Sequence, residues 1–252
     1  MHFELKSLVI GYPGHEVAGP MNATLREGEL CCLLGANGAG KSTLLRTLAA
    51  FQPALGGEIR LGERRLTQIA PRELSTLIGI VLTERIRTAG ITVRDMVAMG
   101  RSPYTNFWGR LTREDEAHVD EAMEQVGITA FANRQISTLS DGERQKVMIA
   151  KALAQGTPII LLDEPTAFLD FPSKVEVMLL LRRLAHEMGK SIFLSTHDLD
   201  LALQMADRLW LMGKGMPLAV GTPCELAKEL PDFFPSEHLE FDAATLRFTI
   251  KL

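Results

Sequence analysis

The chain has 252 residues, 46% of them hydrophobic, which is enough for one large domain or two small ones around a substantial core. A formal net charge of −4 argues against the basic surface with which nucleic-acid binders hold phosphate backbones, so no nucleic-acid partner is expected. The opening MHFELKSLVI lacks a cationic segment followed by a long apolar one, and no apolar run reaches the roughly 18 residues of a spanning helix, so a soluble, cytoplasmic chain is expected.

In chain order, residues 3–10 alternate apolar and polar positions and predict a strand, with Tyr12 following in GYPG. The apolar run Leu30-Cys31-Cys32-Leu33-Leu34 reads as a buried strand. Cys31 and Cys32 then point to opposite faces and neither pair nor chelate, and with Cys224 lacking an evident partner the usage fits a reducing compartment. Directly after this strand comes GANGAGKST, Gly35 to Thr43, which fits the phosphate-loop pattern G-x-x-x-x-G-K-[ST]. It implies a nucleoside triphosphate with magnesium. Gly35, Gly38 and Gly40, with Asn37 and Ala39 between them, let backbone N–H groups close on phosphate oxygens at a helix N-terminus. Lys41 adds a point charge, Ser42 offers a hydroxyl to Mg2+, and Thr43 opens a helix that runs to Phe51 and ends before Pro53.

Gly56-Gly57 followed by EIRLG predicts a second flanking strand, and Ile78 to Leu82 a short buried one. From residue 86 to 155 strand runs give way to three helical patterns, Thr92 to Met99, Arg113 to Val126 and Asp141 to Ala154. Alternation returns with a strand from Pro158 to Leu162, a helix from Ser173 to Met188, a strand from Ser191 to Ser195 and a helix from Asp198 to Met205. Closing strands follow at Leu209 to Met212 and Leu218 to Val220, and FDAATLRFTI allows a terminal hairpin.

The strand at 158–162 continues into IILLDEPT. An apolar run ending in acid delivers Asp163 to the carboxyl edge of a parallel sheet, where ligands bind, so Asp163 is assigned to the metal and Glu164 to polarising an attacking water. The fold class expected is α/β. The expectation is a P-loop NTPase core, resembling the RecA-like parallel sheet, with an antiparallel β flank and an inserted α-helical lobe. Residues 1–85 and 156–235 are expected to form the nucleotide-binding core, 86–155 the lobe and 236–252 a C-terminal extension.

LSDGERQ, Leu139 to Gln145, narrows the class. Ser140 with Glu143 is a capping-box pattern that alone marks only a helix start, and Gly142 in the first turn permits close approach of an anion. Together with the phosphate loop and the Asp163 strand, the run resembles the signature motif of ATP-binding cassette (ABC) proteins over roughly residues 1–230. The resemblance implies that Tyr12, by itself an ordinary edge-strand tyrosine, stacks on adenine. It also implies that Phe168-Leu169-Asp170 couples two active sites, that His197 meets the γ-phosphate, and that Ser140, Gly142 and Glu143 contribute to the nucleotide site. The signature helix lies far from its own phosphate loop in this family, so a head-to-tail homodimer holding two ATP molecules is implied.

One position departs from the family. The strand IGIVLTER carries Thr83 where a magnesium-contacting glutamine is usual, so Thr83 is only a provisional metal contact; its hydroxyl cannot reproduce both contacts of the amide. ITVRDMVAMGRSPY, Ile91 to Tyr104, resembles the lobe entrance of cassettes serving iron-siderophore, haem and vitamin B12 importers. Met96, Val97 and Met99 there read equally as core or as lining of a groove for a membrane-subunit helix. The implied function is the ATP-hydrolysing subunit of such an importer, peripheral on the cytoplasmic face of the inner membrane. Its partners would be polytopic permease subunits and, indirectly, a periplasmic or surface binding protein. A soluble cassette of translation or DNA repair is the alternative, and a non-hydrolysing nucleotide-binding module a third reading that Glu164 and His197 oppose.

Overall fold

Strand β1 (Phe3–Tyr12) pairs antiparallel with β2 (His15–Leu25) on one side and with β4 (Gly56–Leu61) on the other, and β5 (Arg64–Arg65) completes a four-stranded sheet of order β2-β1-β4-β5. This is a computed structural model and it describes residues 2–82, 90–106, 108–235, 237–243 and 245–250. The sequence reading contains no strand at 15–25, because Gly19 and Pro20 interrupt the alternation. β2 lies at the sheet edge, where a proline's missing N–H costs no ladder bond.

The larger sheet has six strands. β3 (Leu30–Gly35), β6 (Ile78–Val81), β7 (Ile159–Asp163), β8 (Ser191–Ser195) and β9 (Arg208–Met212) run parallel, and β10 (Ala219–Gly221) joins antiparallel at one edge in the order β10-β9-β3-β8-β7-β6. Successive β3 residues alternate between two cores. Cys31 and Leu33 join Phe3, Ile10, Leu44 and Trp210 beneath the antiparallel sheet, while Leu30, Cys32 and Leu34 face the helices. The adjacent cysteines thus point apart, and burial pushes both thiols up, which keeps them unreactive.

Helix α1 (Lys41–Leu48) follows β3 and α2 (Pro71–Leu74) precedes β6. Three helices then pack on one another: α3 (Val93–Ala98), α4 (Arg113–Val126) and α5 (Asp141–Ala154). Each begins with a reciprocal capping box, Thr92 with Asp95, Thr112 with Asp115 and Ser140 with Glu143, which satisfies orphan N–H groups at the first turn. Their apolar faces share one cluster with Leu30, Ile160 and Leu162 of the sheet. Met96 and Val97 belong to that core, at 2% and 0% exposure, so the groove reading fails for both. Met99 alone of the three is exposed.

Helix α6 (Phe171–His186) starts two residues before its expected Ser173, since Asp170 caps it by accepting from the Ser173 N–H. α7 (Leu199–Met205) and α8 (Leu230–Phe233) follow, and β11 (Leu239–Asp242) pairs with β12 (Arg247–Ile250) as a terminal hairpin. The hairpin is pinned by Phe248 against Phe234 and Phe241, with ring centroids 6.4 and 4.7 Å apart. Among the described residues, no helix is long and apolar enough to cross a membrane.

Candidate active site

The carboxyl ends of β3, β7 and β8 converge on one edge of the sheet. At the end of β3 the chain turns through Gly40, whose φ of +105° is left-handed and whose added Cβ would lie 2.6 Å from the Val17 side chain on β2. Only glycine serves both demands. The antiparallel sheet therefore forms one wall of the phosphate loop, a contact that sequence reading misses because it does not see β2. Lys41 is only 6% exposed, and its Nζ donates to Gly35 O at 2.7 Å and to Ala36 O at 3.3 Å. Burial pushes the Lys41 pKa down, and the negative charges of Glu164 and Asp163 pull it partly back. Ala39 is buried, and Asn37 and Gly38 are exposed at the mouth of the loop. Thr43 faces inward, its carbonyl accepting from the Thr47 hydroxyl.

Ser42, in the first turn of α1, donates to Asp163 Oδ1 at 3.4 Å. Asp163 Oδ1 also accepts from the Ser195 hydroxyl at 2.6 Å. Next to it, Glu164 has a left-handed φ of +47°, and its N–H donates to Ser195 Oγ at 3.0 Å. Glu164 Oε1 lies 2.6 Å from His197 Nε2, a hydrogen bond when that nitrogen carries its proton. The turn at Glu164 thus swings its carboxylate toward His197. A hydroxyl and a carboxylate oxygen facing each other beside a phosphate loop fit a hard cation that takes few protein ligands and completes its shell with phosphate and water. Among the described residues there is no cluster of three or more His, Cys, Asp or Glu side chains that could hold a metal alone.

The signature segment sits at the start of α5. The carboxylate of Glu143, assigned above to the nucleotide, accepts from the Ser140 N–H at 2.8 Å and the Ser140 hydroxyl at 3.0 Å, which pull its pKa down. Gly142 admits a neighbour closely: a Cβ there would stand 2.9 Å from Ser173 Oγ on α6. Asp170 caps the same α6, so the signature segment and the Phe168–Asp170 segment lean on one helix start. Tyr12 is exposed at the tip of the β1–β2 hairpin. Thr83 lies outside the described residues.

A phosphate loop, an acidic strand end and a histidine converging on one parallel-sheet edge define a nucleoside-triphosphate hydrolase of the P-loop class. The chain belongs to the ABC transporter family, whose profile matches residues 18–167. It is therefore an ATPase. It is 40% identical over 223 residues to an uncharacterized ABC transporter ATP-binding protein of Methanocaldococcus jannaschii, covering 88% of this chain and 77% of that one. It is 39% identical over 228 residues to the achromobactin transport ATP-binding protein of Dickeya dadantii, covering 89% and 83%. An inward-facing transporter described as of the metal-chelate type matches with a TM-score of 0.82 at 26% identity, over 98% of this chain and 94% of that one. A dimeric bacterial ABC transporter cassette matches with a TM-score of 0.74 at 27% identity, over 88% and 98%.

Proposed function

We propose that this chain is the ATP-hydrolysing subunit of an importer for a metal chelate, of the iron-siderophore, haem or vitamin B12 class. The observation that carries the catalytic part is the placement of Glu164 beside His197 and next to Asp163, on the edge that the phosphate loop faces. The substrate class is supported by the achromobactin-transport relative and the metal-chelate type structure. In this reading the loop N–H groups and Lys41 hold the triphosphate, with Tyr12 against the base. Ser42 and Asp163 hold Mg2+, which when bound neutralises phosphate charge. Glu164 takes a proton from the attacking water, and His197 orients Glu164 and meets the γ-phosphate.

The rest of the reading is architectural. Two copies close head to tail on ATP so that Ser140 and Gly142 of each reach the other's nucleotide, and residues 86–155 act as the lobe that moves. Met99, Phe51, Leu74, Ile80 and Pro103 line a groove of about 770 Å3 suited to an apolar element of a polytopic permease subunit. The chain would then work at the cytoplasmic face of the inner membrane, while a periplasmic or surface binding protein delivers the cargo to the permease.

The test is Glu164→Gln in the purified chain. The amide keeps the shape but cannot take the proton, so turnover should fall by at least about 100-fold while ATP binding persists. Retained turnover would remove Glu164 from the base role. The substrate class is checked separately, by uptake of labelled iron-siderophore, haem or vitamin B12 into vesicles carrying the chain with its co-expressed permease.

A further inference from the structure

Ser195 ends β8 and is completely buried, opposite Asp163 on β7 and Leu33 on β3 in the parallel register. It stands between the strand that feeds the phosphate loop and the strand that carries the acids. Its hydroxyl is used in both directions. The proton goes to Asp163 Oδ1 at 2.6 Å, and the oxygen accepts the Glu164 N–H at 3.0 Å. One donor and one acceptor from fixed strand ends leave the hydroxyl no rotational freedom.

The second bond matters more than its length suggests, because Glu164 is a non-glycine residue at a φ of +47°. Such a conformation is strained and persists only where the surroundings over-determine it. Here the N–H is turned inward onto Ser195, and the same turn directs the side chain away from the strand line to His197, 2.6 Å off. Without the Ser195 oxygen, that N–H and the Asp163 carboxylate would each lose a partner in a partly buried place. The backbone could then relax toward ordinary geometry and carry the carboxylate with it. None of the contacts of Lys41, to Gly35 O and Ala36 O, passes through Ser195.

We propose that Ser195 is a positioning residue for hydrolysis, whose hydroxyl locks Asp163 and the strained Glu164 turn together and so aims the Glu164 carboxylate. The inference rests on the reading of Glu164 as the base that activates water. It predicts a split effect: chemistry suffers, nucleotide binding does not.

The experiment compares wild type, Ser195→Ala, Glu164→Gln and the double variant, with steady-state kinetics, equilibrium titration of ATP and thermal melting on each. Ser195→Ala should lower kcat by about 10- to 100-fold, the scale of a misplacement near 1 Å, with KM and the ATP dissociation constant changed less than about threefold. In the Glu164→Gln background the same substitution should lower kcat by much less than it does in wild type, since the carboxylate it aims is already disabled and only the Asp163 contact remains to be lost. Unchanged kcat in Ser195→Ala, with Glu164→Gln inactive, would overturn the positioning role and leave the base reading standing. Loss of ATP binding in parallel with kcat would also overturn it, as the mark of general damage to the site. Full turnover in Glu164→Gln would overturn both.

Discussion

Lys41 shows how much a single side chain can be asked to do. Its ammonium is held by two carbonyls of the loop it serves, so it is pre-placed, and it is buried enough that its charge is weakly screened. Lys41→Ala should weaken ATP binding by about 100-fold in equilibrium titration, the usual scale for losing one charged donor on a phosphate group. An unchanged dissociation constant would remove Lys41 from the phosphate contact. The phosphate loop is legible in the sequence because its chemistry is local: nine consecutive residues, Gly35 to Thr43, carry the turn, the donors and the hydroxyl. Ser195 is not legible in that way. Its partners lie 32 and 31 positions away, and only the register of β7 against β8 brings the three groups together. The strain at Glu164 is equally invisible, since nothing in DEPT requires a left-handed φ.

At the level of elements, the helices at 113–126 and 141–154 read correctly to the residue, because capping chemistry marks their starts and an apolar stripe marks their extent. What holds these helices to each other is not in that pattern. Arg101 is buried at 5% exposure; its Nε donates to Asp115 Oδ1 at 2.9 Å and its Nη1 to Ala154 O at 2.8 Å, so it ties the start of α4 to the end of α5. Removing one partner of a buried pair strands the other, and Arg101→Ala should cost about 3 kcal/mol in chemical denaturation. The Asp115 carboxyl is held at about 2, against an ordinary 3.8, chiefly by the Thr112 N–H, with the Thr112 hydroxyl and Arg101 adding to it. A depressed carboxyl contributes its full stability above its ordinary value and loses it as pH falls toward the folded one. Wild-type stability should therefore drop between about pH 4 and pH 2 more steeply than that of Asp115→Asn, which lacks this titration. Equal slopes in acid denaturation would show that the pair does not set this limb.

For the whole molecule, the question is what covers the segment after the acids. Phe168 and Phe171 are exposed at 69% and 67%, an unusual cost for two phenyl rings only three positions apart on either side of the Asp170 cap. The signature turn leans on the same helix start through Gly142 and Ser173, which brings the two segments close together. In the proposed head-to-tail closure, that surface is the second copy, and ATP completes the interface through the signature N–H groups. The chain should then be largely monomeric without nucleotide and dimeric with Mg-ATP in the Glu164→Gln background, where hydrolysis no longer dissolves the closed form. Light scattering reads the mass directly. Adding Phe171→Asp to Glu164→Gln should abolish the ATP-dependent dimer and leave monomer ATP affinity within about threefold, since Phe171 has no part in the phosphate loop and a charge in an apolar contact is strongly disfavoured. A dimer that forms regardless of ATP, or one that survives Phe171→Asp undiminished, would place the interface on some other face and detach the signature segment from the partner's nucleotide.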